Sequence, residues 1–131
     1  MLKVDQGLVN LFINSAFGLP ICHENIPYTP VEGTPYAEIF VIPNDQTALS
    51  LYETDQTDGI FRVILRYPVN TSAIPAKTMA DTIFAVFKIG SYFYYGDQKV
   101  EITGFSRNVG LNEAGWYKLV LSINYNAFIR R

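Results

Sequence analysis

Cys22 is the only cysteine of the chain, so no intramolecular disulfide can form and stability has to come from packing. Histidine is equally scarce, with His23 alone. Paired Cys or His at metal-ligand spacing is therefore missing, which excludes the common zinc patterns. A Gly-rich phosphate loop and a nucleophile elbow are missing too. Cys22 and His23 are neighbours, and neighbours on a strand point to opposite faces, so they are poorly placed as a nucleophile–base pair. Charge of one sign is never concentrated. The ten Lys and Arg are scattered, the formal net charge is −2, and only Arg130-Arg131 cluster. Without a basic stripe, duplex nucleic acid has no electrostatic footprint here. No long apolar run follows a basic start, so neither a signal peptide nor a membrane span is expected, and a soluble cytoplasmic protein is the default expectation.

What the chain does have is apolar bulk. Of 131 residues 49% are hydrophobic, with nine Tyr and nine Phe, which excludes intrinsic disorder and suffices for one core. One domain spanning 1–131 is expected. Tyr carries an apolar body and a polar tip, so its abundance suggests contact surfaces, although half-buried strand positions account for most of it.

Periodicity sets out the elements. Val4, Leu8, Leu11 and Phe12 recur at helical steps, and Gly18 with Pro20 stops them, giving a helix over about 3–17. Gly7 weakens that helix by about 1 kcal/mol relative to Ala. Ile21 to Asn25 reads as a short strand. Tyr36 to Ile42 is apolar on both faces and ends at Pro43, as a covered strand would. Asn44 to Asp58 has neither period and reads as an exposed loop, long enough to suggest a function. From Gly59 to Pro68 alternation is clean: Phe61, Val63, Leu65 and Tyr67 point one way, and Ile60, Arg62, Ile64 and Arg66 the other. The second face, mixing Arg with Ile, is solvated or meets a partner. Pro75 to Ile89 carries the best helical stripe, with Ser72 upstream as a cap and Gly90 at its end. Tyr92 to Tyr95 and Gln98 to Phe105 flank Gly96-Asp97, a two-residue hairpin connection. Ser106 to Gly115 is a turn-rich connection, and Trp116 to Tyr125 alternates again. The expected fold is α+β, a mostly antiparallel sheet with two main helices packed on one face.

Few residues suggest chemistry. Asp45, Glu53, Asp55 and Asp58 could offer oxygens to a hard cation, but the bidentate Glu that closes a calcium loop is missing, and a solvated loop is the better reading. Tyr92 to Tyr95 could stack bases, yet without a basic groove the platform is incomplete. Neither catalytic, metal nor cofactor residues are expected, and the pattern is that of an assembly or binding module.

One segment is unusually specific. In Glu24-Asn25-Ile26-Pro27-Tyr28-Thr29-Pro30, followed by Gly33-Thr34-Pro35-Tyr36, three prolines fix their own φ and push their predecessors toward extended backbone. The segment can be neither helix nor central strand; it is a stiff strap leading into the strand at Tyr36. With the Asp58-Gly59 strand opening, Ala80-Asp81 in a helix ending at Phe87 and Gly90, and Gly115-Trp116-Tyr117 opening the last strand, it resembles the tail-terminator family of long-tailed phages and prophages over about residues 3–126. Related sequences carry glycines after the strand that ends at Pro68, where this chain has Val69-Asn70-Thr71-Ser72-Ala73.

The resemblance implies a structural, non-enzymatic protein of the virion tail, assembled in the bacterial cytoplasm. Members form rings, typically hexamers, on the head-proximal end of the tail tube; they stop its polymerisation and present the head-joining surface. The implied partners are other copies of the chain, the tail-tube protein and a head–tail connector or stopper, with DNA only passing through the lumen and no membrane or cofactor involved. Leu51, Tyr52, Glu53 and Asp55 are the first residues expected at such contacts. Arg62 and Arg66 are the second, against an acidic patch of the neighbour or lining the lumen, unless both merely keep a sheet face soluble. Two other readings compete: a head-completion or neck protein, and a small monomeric ligand-binding α+β domain with the Tyr-rich hairpin as pocket wall.

Overall fold

The computed structural model describes residues 2–44, 47–48, 54–69 and 72–130. Within them the order is α1 (Leu2–Asn14), β1 (Ile21–Cys22), β2 (Tyr36–Pro43), β3 (Thr47–Ala48), β4 (Thr54–Pro68), α2 (Ile74–Val86), β5 (Tyr92–Tyr95), β6 (Gln98–Arg107), β7 (Leu111–Glu113) and β8 (Trp116–Arg130). The main path of the sheet runs β1-β2-β4-β8-β6-β5, with β3 added to β4 and β7 to β8. Every pair is antiparallel except β1–β2, which is parallel. β4 and β8 pair from Thr54↔Arg130 to Pro68↔Trp116 and form the spine.

Alternation along β4 divides the sheet into two faces. Phe61, Val63 and Leu65 are fully buried and join Ala37 and Ile39 of β2, Leu119, Leu121 and Ile123 of β8, and Val100 and Ile102 of β6. Both helices close this side, α1 with Val4, Leu8 and Phe12, α2 with Ala76, Ala80 and Ile83, followed by Phe87. An α+β sheet with two helices on one face is what the periodicity predicts. The opposite face bears no helix among the described residues.

Gly7 has a steric reason that offsets its helical cost. A Cβ there would lie 3.0 Å from Tyr95 Cβ and 3.2 Å from the Phe93 ring, so glycine lets α1 sit close on β5. The Gly96-Asp97 connection is a two-residue hairpin, Tyr95 pairing with Gln98, and Gly96 has the positive φ of +62° that a primed turn needs. In β6 the register shifts between Ile102 and Gly104, leaving Thr103 as the extra residue of a bulge.

Four expectations need correction. Residues 54–58, read as part of an exposed loop, belong to β4, paired with β8 and at Asp55 and Gln56 also with β3. That also removes the resemblance of Asp55 to Asp58 to a calcium loop. The connection from Ser106 to Gly115 holds β7, paired with β8 through Leu111↔Lys118. Both helices stop three residues early, at Asn14 and Val86, and Ala16 already has a φ of 51°. The short strand at Ile21 ends at Cys22 rather than Asn25. The strap beyond it adopts no helix or strand until Tyr36.

Candidate assembly surface

Pro27, Pro30 and Pro35 hold the strap in extended conformations, and Gly33 at φ +80° supplies its bend. This delivers Tyr28 to within 5.0 Å of the Tyr36 ring, centroid to centroid, and Tyr36 in turn meets Trp116 edge-on at 5.2 Å. The strap, the start of β2 and the start of β8 are thus joined by an aromatic ladder. Beside it lies a 580 Å³ groove lined by strap residues Pro30, Glu32 and Gly33, and by Pro68 and Trp116 at two strand ends. Tyr36 is buried, and burial pushes its phenol above the ordinary value.

Below the ladder sits an ionic cluster. Arg66 Nε donates to Glu38 Oε1 across the β2–β4 ladder, and Arg66 Nη2 lies 3.7 Å from Glu113 Oε1. Lys118 Nζ reaches Glu113 Oε2 at 3.2 Å. The Arg66 side chain is only 13% exposed. Burial by itself would lower its pKa, but the hydrogen bond and charge of Glu38, with Tyr36 and Glu113 adding, raise it instead. Cys22 sits close by, its thiol pushed up by burial and by Glu38, the opposite of what an activated nucleophile requires.

Arg62 is in a different position, although it shares this face of β4. Its cross-strand neighbours are Phe40 and Ser122. Its Nε is buried with no hydrogen-bond partner, and among the described residues it joins no salt bridge. Phe40, Ile42, Ile60 and Ile64 are on the same face, and Ile42 is 39% exposed.

Leu51, Tyr52 and Glu53 lie outside the described residues. Asp55 is half-buried in β4, between Ala48 and Ile129. The structure thus brings Arg66 into an intramolecular cluster, leaves Arg62 alone on the open face, and places Asp55 toward the far end of the same strand. Reading the residues one segment at a time missed Tyr28, Tyr36, Trp116, Glu38 and Glu113 as one cluster. The strap and Gly-Trp-Tyr motifs were visible, but nothing local says that they meet.

At the far end of the sheet a 480 Å³ polar groove is lined by Gln56, Asp58, Gly59, Asn124 and Tyr125, among others. Gln56 Nε2 donates to Asn126 Oδ1 at 2.9 Å. Gly59 is required here, because a Cβ would collide with the Ile42 carbonyl and lie 2.7 Å from the Tyr125 hydroxyl. Burial, with Asp5 and Asp58 adding, pushes Tyr125 up to about 12. Burial also raises Asp5, assisted by Glu24 and opposed by the N-terminal amine. Among the described residues no three His, Cys, Asp or Glu converge as metal ligands, and no helix is long and apolar enough to cross a membrane.

Aromatic contacts, neutralised charges and a helix-free sheet face with partly exposed apolar residues suit contact between proteins, on a single α+β domain. The family model described as phage tail terminator protein matches residues 8–125, and the chain belongs to that family. It is a structural protein of phage tail assembly, in a family that is not one of enzymes, and a component of the virion tail. A solved structure superposes with a TM-score of 0.70 at 20% identity, covering 88% of this chain and 85% of that one; at this identity the likeness concerns the fold alone. No curated protein matches.

Proposed function

We propose that this protein closes into a ring at the head-proximal end of the tail tube, ends tube polymerisation there, and offers the surface that joins tail to head. The ring is a hexamer, built in the host cytoplasm, and the whole of residues 1–131 acts as one unit. Its partners are further copies of the chain, the tail-tube protein and a head–tail connector or stopper; DNA passes through the lumen, and no substrate is turned over. The observation that carries this reading is the open sheet face. Among the described residues helices cover one side only, leaving Phe40, Ile42 and Ile60 on the other with half-buried Arg62, whose Nε has no hydrogen-bond partner. A packed sheet exposing such a face is suited to being covered by another protein. Family membership makes tail assembly the setting. A heterologous contact repeated around a rotation axis closes on itself, and a closed ring offers no free end for a further tube subunit. The contact set includes Arg62 and the segment Leu51, Tyr52, Glu53 with Asp55, while Arg66 contributes by holding the sheet edge through Glu38.

The test is absolute mass by light scattering over a wide concentration range, free and in the presence of purified tail tubes. One sharp multiple of the chain mass, with tube growth halted, is the expected result. A monomer that leaves tubes growing would sink the reading, and a ring that binds portal but not tube ends would turn it into a neck protein.

A further inference from the structure

Arg62 presents a requirement that its own chain does not meet. Other cations of this sheet are paired within the chain: Arg66 with Glu38 and Glu113, Lys118 with Glu113, and Lys99 with Glu101. Arg62 itself joins no salt bridge among the described residues, and it is half-buried with Phe40 opposite and Ile60 and Ile64 beside it on β4. A guanidinium in that setting calls for a carboxylate presented on a surface flat and apolar enough to lie on a sheet. Nucleic acid fits poorly, because a phosphate backbone needs several cations and gains nothing from isoleucine.

The same chain carries such a surface. On the outward side of α2, Ile74, Thr78, Asp81 and Ala85 are exposed and recur at four-, three- and four-residue steps, one stripe of the helix. Thr82, next to it, donates its hydroxyl back to the Thr78 carbonyl at 3.0 Å. Asp81 is in no salt bridge among the described residues. The other free carboxylates fit less well. Glu24 and Glu32 are on the strap, Asp5 is half-buried on α1, and Asp58 shares the face of Arg62 itself.

Building on the ring reading, we infer that the outward face of α2 of one copy packs on the open sheet face of the next, with Asp81 accepting from Arg62. Each α2 then lies between two sheets: its own, through Ala76, Ala80 and Ile83, and the neighbour's, through the Asp81 stripe. The two patches differ, so the contact is heterologous and can close a ring.

A charge-swap cycle tests the pairing, with R62E, D81R and the double variant compared by light scattering and by tail-tube capping. Each single variant is expected to raise the concentration needed for half-assembly by at least about tenfold, and the double variant to recover most of that loss. Asp81 is exposed on a helix, so D81R keeps the fold, and circular dichroism with a thermal melt checks both. Single variants that assemble as well as wild type, or a double variant no better than either, overturn the inference and leave the ring reading standing. Wild-type protein that is monomeric both alone and on tubes overturns the two together.

Discussion

Arg62 and Arg66 share one strand and one face, yet four residues of separation give them different environments. At Arg66 the opposing residues supply carboxylates, so the guanidinium is part of the fold. Arg66→Ala leaves the Glu38 side chain, 18% exposed, without its main partner. That should lower unfolding free energy by about 1–3 kcal/mol in urea melts. Arg62→Ala removes a group whose Nε makes no hydrogen bond, so the monomer should change by less than about 1 kcal/mol. Tyr125 makes a pH-dependent prediction. Burial pushes its phenol from the ordinary 10.0 up to about 12, so the folded state holds the proton more tightly than the unfolded chain does. Its contribution is complete below pH 10 and is lost as pH rises from there through about 12. Stability measured across that window should fall, and Tyr125→Phe should remove the Tyr125 part of the slope. Asp5 has the same sign at acidic pH, since its pKa is also raised: its contribution is complete below the ordinary carboxylate value and fades as pH rises past the elevated one.

Among the elements, α2 is the sharpest case of one helix with two distinct sides. Ile83 is fully buried against the sheet, and Ile74 is 65% exposed at the opposite stripe. Ile83→Ala should cost about 2–5 kcal/mol through lost burial and a residual cavity. Ile74→Ala should stay within about 0.5 kcal/mol in the monomer, and any larger effect should surface only in assembly. Chemical denaturation of the two variants side by side checks this. The helical and alternating segments were legible because their apolar residues follow one period. Thr54 to Asp58 were not, since Thr, Asp and Gln alternate with no apolar face to give the strand away. They are strand because β8 runs on to Arg130 and offers a partner over that length. β7, three exposed residues long, carries no burial signal either.

At the level of the whole molecule, the two 15-residue strands that pair along their full length are far apart in sequence, and β8, the last strand in the chain, pairs with β4, β6 and β7. Loop closure has to precede the contacts that reward it, so refolding in stopped flow should fall in the millisecond-to-second range rather than in microseconds. Trp116 is a built-in reporter, being the only tryptophan and held edge-on to Tyr36.

Local residue order by itself determined the helices, the strand faces, the hairpin turn and the stiffness of the strap, because each depends on backbone preference or on a short apolar period. It also carried the family likeness, which rests on motif order along the chain. Tertiary structure decided which distant segments meet. Tyr28, Tyr36 and Trp116 form one ladder, and Glu38 with Glu113 neutralises Arg66, only because β2, β4, β7 and β8 lie side by side in one register. The difference between a paired Arg66 and an unpaired Arg62 was settled there too, since charge compensation depends on the opposing strands and not on the arginine's own segment.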